Sequence, residues 1–177
     1  MYQQIARFGP QLFANATLFK WGFNLSPMYR RTTARIIDIS SDLRFVRIKI
    51  PLSYRNKNYV GSIFGGSMFA AVDPIPMVQL IQILGRDYVI WDKSAQIYFK
   101  RPAREDLYAE FRYADSEVTA LTAAVHACGE TEIEKVTRLT GRDGLRPYCE
   151  VHKTVYVATK AFYREKMAAR AGSQSRD

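Results

Sequence analysis

The hydrophobic pattern changes period several times along the chain. Over residues 1–30, Ile5, Phe8, Leu12, Phe13, Leu18, Phe19, Trp21 and Phe23 recur at spacings that suit one or two amphipathic helices, interrupted at Gly9-Pro10. Ser26-Pro27 has the form of a cap and first position of a further short helical turn. From Thr33 the period shortens: Ala34, Ile36 and Ile39, then Phe45 to Ile50, predict two strands around Ser40-Ser41-Asp42, a hairpin. Residues 64–84 form the longest apolar stretch, hydrophobic nearly all round, which predicts a central buried helix ended by Gly85. Strand-like alternation returns over Tyr88 to Lys100, Leu107 to Ala114, Glu132 to Thr140 and Tyr148 to Thr159. A helix from Ser116 to His126, capped by Ser116, interrupts these strands, and Arg142-Asp143-Gly144 signals a turn between the last two. A hairpin, one buried helix and a run of strands predict an α+β fold, a single curved antiparallel sheet wrapped around that helix. The chain divides into an N-terminal helical extension over 1–30, the sheet-and-helix domain over 31–160, and a basic C-terminal helix and tail over 161–177.

Composition narrows the class. At 177 residues, 47% hydrophobic and 13% aromatic, the chain can bury one sizeable core without a disulfide or metal staple. Cys128 and Cys149, with no metal-ligand spacing around them, read as reduced, buried thiols of a cytoplasmic protein. Asp73, Pro74, Pro76, Gln79 and Gln82 break the most apolar region, so no transmembrane segment is expected. The stretch Leu12 to Phe19 lacks the charged start and cleavage site of a secretory signal. The net charge of +9 attracts any polyanion without choosing among nucleic acid, an acidic membrane and a phosphorylated cofactor. The positive residues are spread widely, and a solvated face is their plain reading. For the N-terminal helices the plain reading is core packing, and contact with a membrane surface or an acyl chain is the sharper one.

The chemistry-bearing stretch is Asn58-Tyr59-Val60-Gly61-Ser62-Ile63-Phe64-Gly65-Gly66, followed by Asp73 in an otherwise apolar run. Paired glycines opening a hydrophobic helix leave backbone N–H groups at its positive end, where a developing oxyanion can sit. Asp73 lies two turns further along, and Asn58 supplies an amide just upstream. Each has a structural reading beside the chemical one: Asp73-Pro74 has the form of a helix cap, Asn58 suits a turn, and Gly65 and Gly66 suit close backbone packing. His126 and His152 neighbour no acid motif, and neither a nucleophile elbow nor a metal-ligand cluster appears.

The set Asn-x-x-Gly-x-x-Phe-Gly-Gly-x6-Asp resembles the hotdog-fold thioesterase superfamily, in particular its phenylacetate-pathway-like branch. Ser67 to Pro74, Leu84-Gly85-Arg86-Asp87-Tyr88 and Trp91-Asp92-Lys93-Ser94-Ala95 more closely resemble an uncharacterised hotdog family of the DUF4442 type. The resemblance spans roughly residues 30–160. It implies that Asp73 acts as nucleophile or general base on a thioester, that Asn58 orients water or the acid, and that the Gly65 amide polarises the carbonyl. Phe64 stands where many members of that branch carry histidine, and with Gly66 it is expected to line the substrate site. Trp91, Asp92, Lys93 and Ser94 are expected to reach that site across a dimer interface, and Arg101 and Arg104 to meet coenzyme A phosphates. The expected activity is hydrolysis of an acyl-CoA or acyl carrier thioester by a homodimer or tetramer, with no cofactor, no specific nucleic acid and no metal. A non-catalytic acyl-CoA or fatty-acyl binding protein is the rival, and a basic nucleic-acid-binding protein the remote alternative.

Overall fold

The computed structural model describes residues 15–174. The expectations for Ile5, Phe8, Leu12, Phe13 and the Gly9-Pro10 break, and for the last residues of the tail, lie outside them.

Helices α1 (Asn15–Leu25) and α2 (Pro27–Arg31) precede strands β1 (Arg35–Ile39) and β2 (Phe45–Ile50). Helices α3 (Gly65–Val72) and α4 (Pro74–Leu84) follow, then β3 (Tyr88–Phe99), β4 (Leu107–Arg112), α5 (Asp115–Cys128), β5 (Glu130–Thr140), β6 (Pro147–Thr159) and α6 (Lys160–Gln174). The six strands form one antiparallel sheet in the order β1-β2-β4-β5-β6-β3. The predicted hairpin is β1–β2, and its turn is held by Asp42 and the Ser40 hydroxyl accepting the amides of Arg44 and Phe45.

The expected single helix is two helices that abut at Asp73. Proline has no N–H, so Pro74 and Pro76 remove two donors from the ladder and loosen it at this junction. Three buried donors take up carbonyls there: Tyr29 donates to Ala71 O at 3.1 Å, Tyr113 to Pro76 O at 3.0 Å, and the Lys153 ammonium to Asp73 O. Burial raises the pKa of both phenols, so they stay neutral donors at any ordinary pH. Gln79 reaches from α4 to Leu43 O at 2.6 Å and ties the hairpin turn to the helix. The span Gly65–Leu84 is, against expectation, long and apolar enough to cross a membrane, but it buries Met68, Ala71, Val72, Ile75 and Leu80 inside the protein.

Strand β6 bonds on both sides along its length, to β3 and to β5, and its concave-face residues Val151, Lys153, Val155 and Val157 are all buried. The β4–β5 ladder is brief, with Tyr108 opposite Thr140 alone. A second core fills the space beyond it, where Leu80 of α4 and Tyr113 meet Val118, Leu121 and Val125 of α5. Helix α5 starts one residue before the expected Ser116 cap. Its N-cap position is Ala114, which has no side-chain acceptor, and Asp115 and Glu117 supply the negative charge its first turn favours. Cys149 is buried as expected, with its thiol pushed up to about 11 by desolvation, but Cys128 is exposed because it closes α5 on the solvent side.

At the far edge of the sheet, α1 covers β1. The Asn24 carboxamide accepts the Ile36 amide at 2.8 Å and donates to the Ile36 carbonyl at 3.0 Å, pairing the strand as a neighbour would. The opposite edge, β3, is the longer one and has no strand beyond it among the described residues.

Candidate functional site

Helix α3 begins without a side-chain cap. Phe64 is extended at the N-cap, and its carbonyl accepts the amides of Ser67 and Met68 at 3.0 and 3.2 Å. The amides of Gly65 and Gly66 donate to no acceptor among the described residues. The glycines have a packing reason as well. A Cβ at Gly65 would stand 2.7 Å from the Phe99 ring, and one at Gly66 would overlap the Phe64 ring. Both rings are more than half exposed, so the open amides lie between two phenyl groups that face outward.

The loop before α3 is fixed by Asn56, a buried residue that the sequence did not flag. Its carboxamide accepts the Ser53 amide and donates to Thr33 Oγ1 and Pro51 O at 2.7 and 2.8 Å, while its backbone carbonyl accepts the Phe64 amide at 2.7 Å. Asn58 is spent on the turn itself. Its Oδ1 accepts the amides of Val60 and Ser62 at 3.1 and 3.0 Å and its Nδ2 donates to Ser62 Oγ at 3.0 Å, so the turn reading describes it. The Ile63 amide donates to Ala103 O at 2.8 Å, which brings the segment carrying Arg101 and Arg104 beside the start of α3. Both arginines are exposed, and the Arg101 guanidinium lies 5.9 Å from the Tyr148 ring centroid.

Asp73 is not a cap. It sits in helical conformation at φ −47°, ψ −53° and makes no side-chain cap bond. Its Oδ1 instead accepts the Lys153 ammonium at 2.6 Å, and the same ammonium lies 2.8 Å from Asp92 Oδ2. Lys153 is 2% exposed at its side chain, whereas Asp73 is 41% exposed, so the lysine is fixed from beneath while the carboxylate faces out. Asp92 carries one oxygen without a partner among the described residues. Burial raises its pKa most, Lys153 opposes that, and the charge of Asp73 adds to it. Lys153, which holds both carboxylates, is the residue of this cluster that sequence reasoning missed. A lone cation in the inward register of Val151, Val155 and Val157 was the signal available.

The four expected residues of β3 divide between the faces of the strand, as alternation requires. Asp92 points to Lys153. Trp91 stacks on Tyr156 at 4.6 Å and meets Tyr163 of α6 edge-on at 5.2 Å, and Lys93 pairs with Glu132, so both lie on the convex face, away from Asp73. Ser94 is exposed just after the bulge that separates it from Asp92. The reading of the histidines is corrected at His152 alone. His152 does have an acid beside it, Glu150 at 2.7 Å, but on the other face from its neighbour Lys153, and His126 meets the Tyr88 hydroxyl at 3.0 Å. Arg138 and His152 hold the Glu150 carboxyl down to about 2.

The site therefore has two parts on one helix. At its start are open amides, phenyl rings and arginines; about 12 Å further along the axis, eight residues at about 1.5 Å each, is a carboxylate held by a buried lysine. Such an arrangement can bind an acyl group and an anion at one end and orient water or attack a carbonyl at the other.

Solved structures share this fold. A Pseudomonas aeruginosa protein of unknown function, described as a probable thioesterase, aligns at 20% identity and a TM-score of 0.71 over 81% of this chain and 95% of its own. A Chlorobaculum tepidum protein of unknown function aligns at 15% identity and 0.66, over 81% and 94%. A Haemophilus influenzae thioesterase aligns at 11% and 0.58, over 82% and 91%. No curated protein matches. The family model for a domain of unknown function, DUF4442, matches residues 15–142. The architecture is the hotdog fold.

Proposed function

Since the chain belongs to the DUF4442 family, with a hotdog fold whose solved neighbours include thioesterases, we propose that it hydrolyses the thioester of an acyl-CoA or acyl carrier at the interface of a homodimer. The observation that carries this reading is helix α3–α4 itself, which presents at its start two amides without a partner among the described residues and a fixed, outward-facing carboxylate two turns on. A thioester passes through an oxyanion, and an open helix N-terminus is suited to stabilise it.

Within one protomer the amides and Asp73 stand too far apart, at about 12 Å, to act on one carbonyl. A two-fold axis beside the unpaired β3 edge would bring the amides of one copy to the carboxylate of the other. Asp73 uses one oxygen to hold Lys153 and keeps the other for water or the carbonyl carbon. Lys153 acts through Asp73, as a positioning residue. Phe64 and Phe99 supply apolar surface for the acyl group, and Arg101 and Arg104 supply charge for a phosphorylated carrier. The reaction adds water across the C–S bond, giving a carboxylic acid and a free thiol.

The test is a panel of acyl thioesters scored by thiol release. Wild type should turn over at least one, and Asp73→Asn should lower kcat/KM by about 10²- to 10⁴-fold with the fold intact. Unchanged kcat/KM in the variant would remove Asp73 from the chemistry. Tight acyl-CoA binding without thiol release by wild type would favour the binding-protein reading.

A further inference from the structure

Helices α1 and α2 turn an apolar row toward solvent. Ala16, Phe19, Phe23 and Tyr29 fill the inner side, with Phe19 and Phe23 stacked at 4.8 Å and Phe23 edge-on to Tyr29 at 5.2 Å. The outer side carries Trp21 and Leu25, one turn apart on α1, and Met28 on α2, which are 59, 59 and 55% exposed. The row is rigidly presented: Lys20 donates to Ile37 O at 2.7 Å, and the Asn24 carboxamide grips Ile36. Scattered exposed apolar residues are ordinary, but three large ones on a fixed pair of short helices beside a groove mark a contact surface.

The surroundings of the row are cationic. A groove of about 1200 Å³ runs from Trp21 and Leu25 to the 51–55 segment, lined by Lys20, Arg30, Arg35 and Arg55 against a single acid, Asp38. Arg30, Arg31, Arg35 and Arg55 are exposed and pair with no carboxylate among the described residues. An apolar row of Trp, Leu and Met with arginines at its margin is the composition of a helix that lies in a bilayer interface. A second copy fits less well, because a two-fold contact would set this cationic patch against itself. A nucleic-acid backbone would use the arginines but leaves Leu25 and Met28 without a role.

We propose that the α1–α2 face docks on an anionic phospholipid surface, with Trp21, Leu25 and Met28 at the boundary of headgroups and acyl chains and Arg30, Arg35 and Arg55 on lipid phosphates. The surface is separate from the Asp73 helix, and the inference stands whether or not the chain hydrolyses thioesters.

The experiment pellets the full chain with vesicles of phosphatidylcholine alone or with one third phosphatidylserine, at low and moderate salt. Wild type should bind the anionic vesicles and release as salt rises. The Trp21 emission, isolated in a Trp91→Phe background, should shift to the blue on binding. Removing three charges in Arg30→Gln, Arg35→Gln, Arg55→Gln should weaken binding ~100-fold, at about five-fold per charge. Leu25→Ser, Met28→Ser should lose both binding and the spectral shift, while circular dichroism stays that of wild type. No binding to anionic vesicles overturns the proposal, as does equal binding to neutral ones or an undiminished triple variant. Tighter binding to a random DNA duplex than to the vesicles, or a self-association that the double serine variant abolishes, would assign the face to those partners instead.

Discussion

Replacing Lys153 by methionine keeps the volume and apolar stem but takes away the one cation between Asp73 and Asp92. Its ammonium lies 2.6 and 2.8 Å from their oxygens and is shut off from water. Removing one partner of a buried ion pair costs ~3–5 kcal/mol, because the other charge is left uncompensated. Asp73 is well exposed and can regain water, whereas Asp92 is mostly buried with one oxygen already unpartnered. The lower end, ~3 kcal/mol, therefore applies, and for a domain of this size it lowers Tm by about 6–12 °C. The loss depends on pH. The Asp92 pKa is already raised above its ordinary 3.8 by burial, and Lys153→Met withdraws the cation that restrains it. A carboxyl whose folded pKa is raised binds extra protons in the folded state, so its penalty is full above that value and fades as pH falls toward 3.8. Urea unfolding of wild type and Lys153→Met at about pH 8, above that window, and at about pH 4, near its lower edge, measures this directly. The variant should lose more stability at the higher pH than at the lower, and adding Asp92→Asn should recover part of the loss. An unchanged midpoint, or a deficit that ignores both pH and Asp92→Asn, would refute the reasoning.

Gly65→Ala should leave stability within ~1 kcal/mol, because the helix propensity gained offsets the displacement of the exposed Phe99 ring, yet thioester turnover should fall as the ring shifts across the amides. Unfolding curves and thiol release separate the two effects. The Arg101→Ala, Arg104→Ala variant should raise KM for an acyl-CoA and flatten its salt dependence with kcat little changed, and an unchanged KM across salt would make those arginines plain surface. Light scattering at micromolar concentration should give a particle of about twice 20.3 kDa, and a 20.3 kDa particle would contradict an interfacial site.

The hairpin, the buried helix and the four later strands were legible because each imposes its own period on the sequence. Residues 45–50 alternate by two, and 64–84 are apolar nearly all round. What escaped were partners far apart in the chain. Lys153 meets Asp73 across 80 positions, and Tyr29 and Tyr113 reach the same helix from 42 and 37 positions away. No local pattern encodes such pairs, although the parity of β6 marks Lys153 as inward-facing. The same parity argues against grouping Trp91, Asp92 and Lys93 in one site, since successive strand residues take opposite faces. Asn58 was read by position in a motif, but its short side chain closes the turn two to four residues on, which is the common use of asparagine there.

At the Asp73-Pro74-Ile75-Pro76 junction one local feature secures the fold and, in the proposed hydrolase, also positions the reacting carboxylate. As a cap, Asp73 would have ended one helix and begun another, with its carboxylate turned back to the following amides. Those amides are scarce, because Pro74 and Pro76 have none to offer. The helix therefore runs nearly continuously through Asp73, its carboxylate is free to point outward, and the carbonyl of the same residue accepts from Lys153. One buried ammonium thus binds both the backbone and the side chain of Asp73, and through Asp92 it ties them to β3. The carboxylate is positioned by the same contact that secures the helix to the sheet. That is why removal of Lys153 should lower stability and turnover together, while Asp73→Asn, which leaves the lysine paired with Asp92, should lower turnover far more than stability.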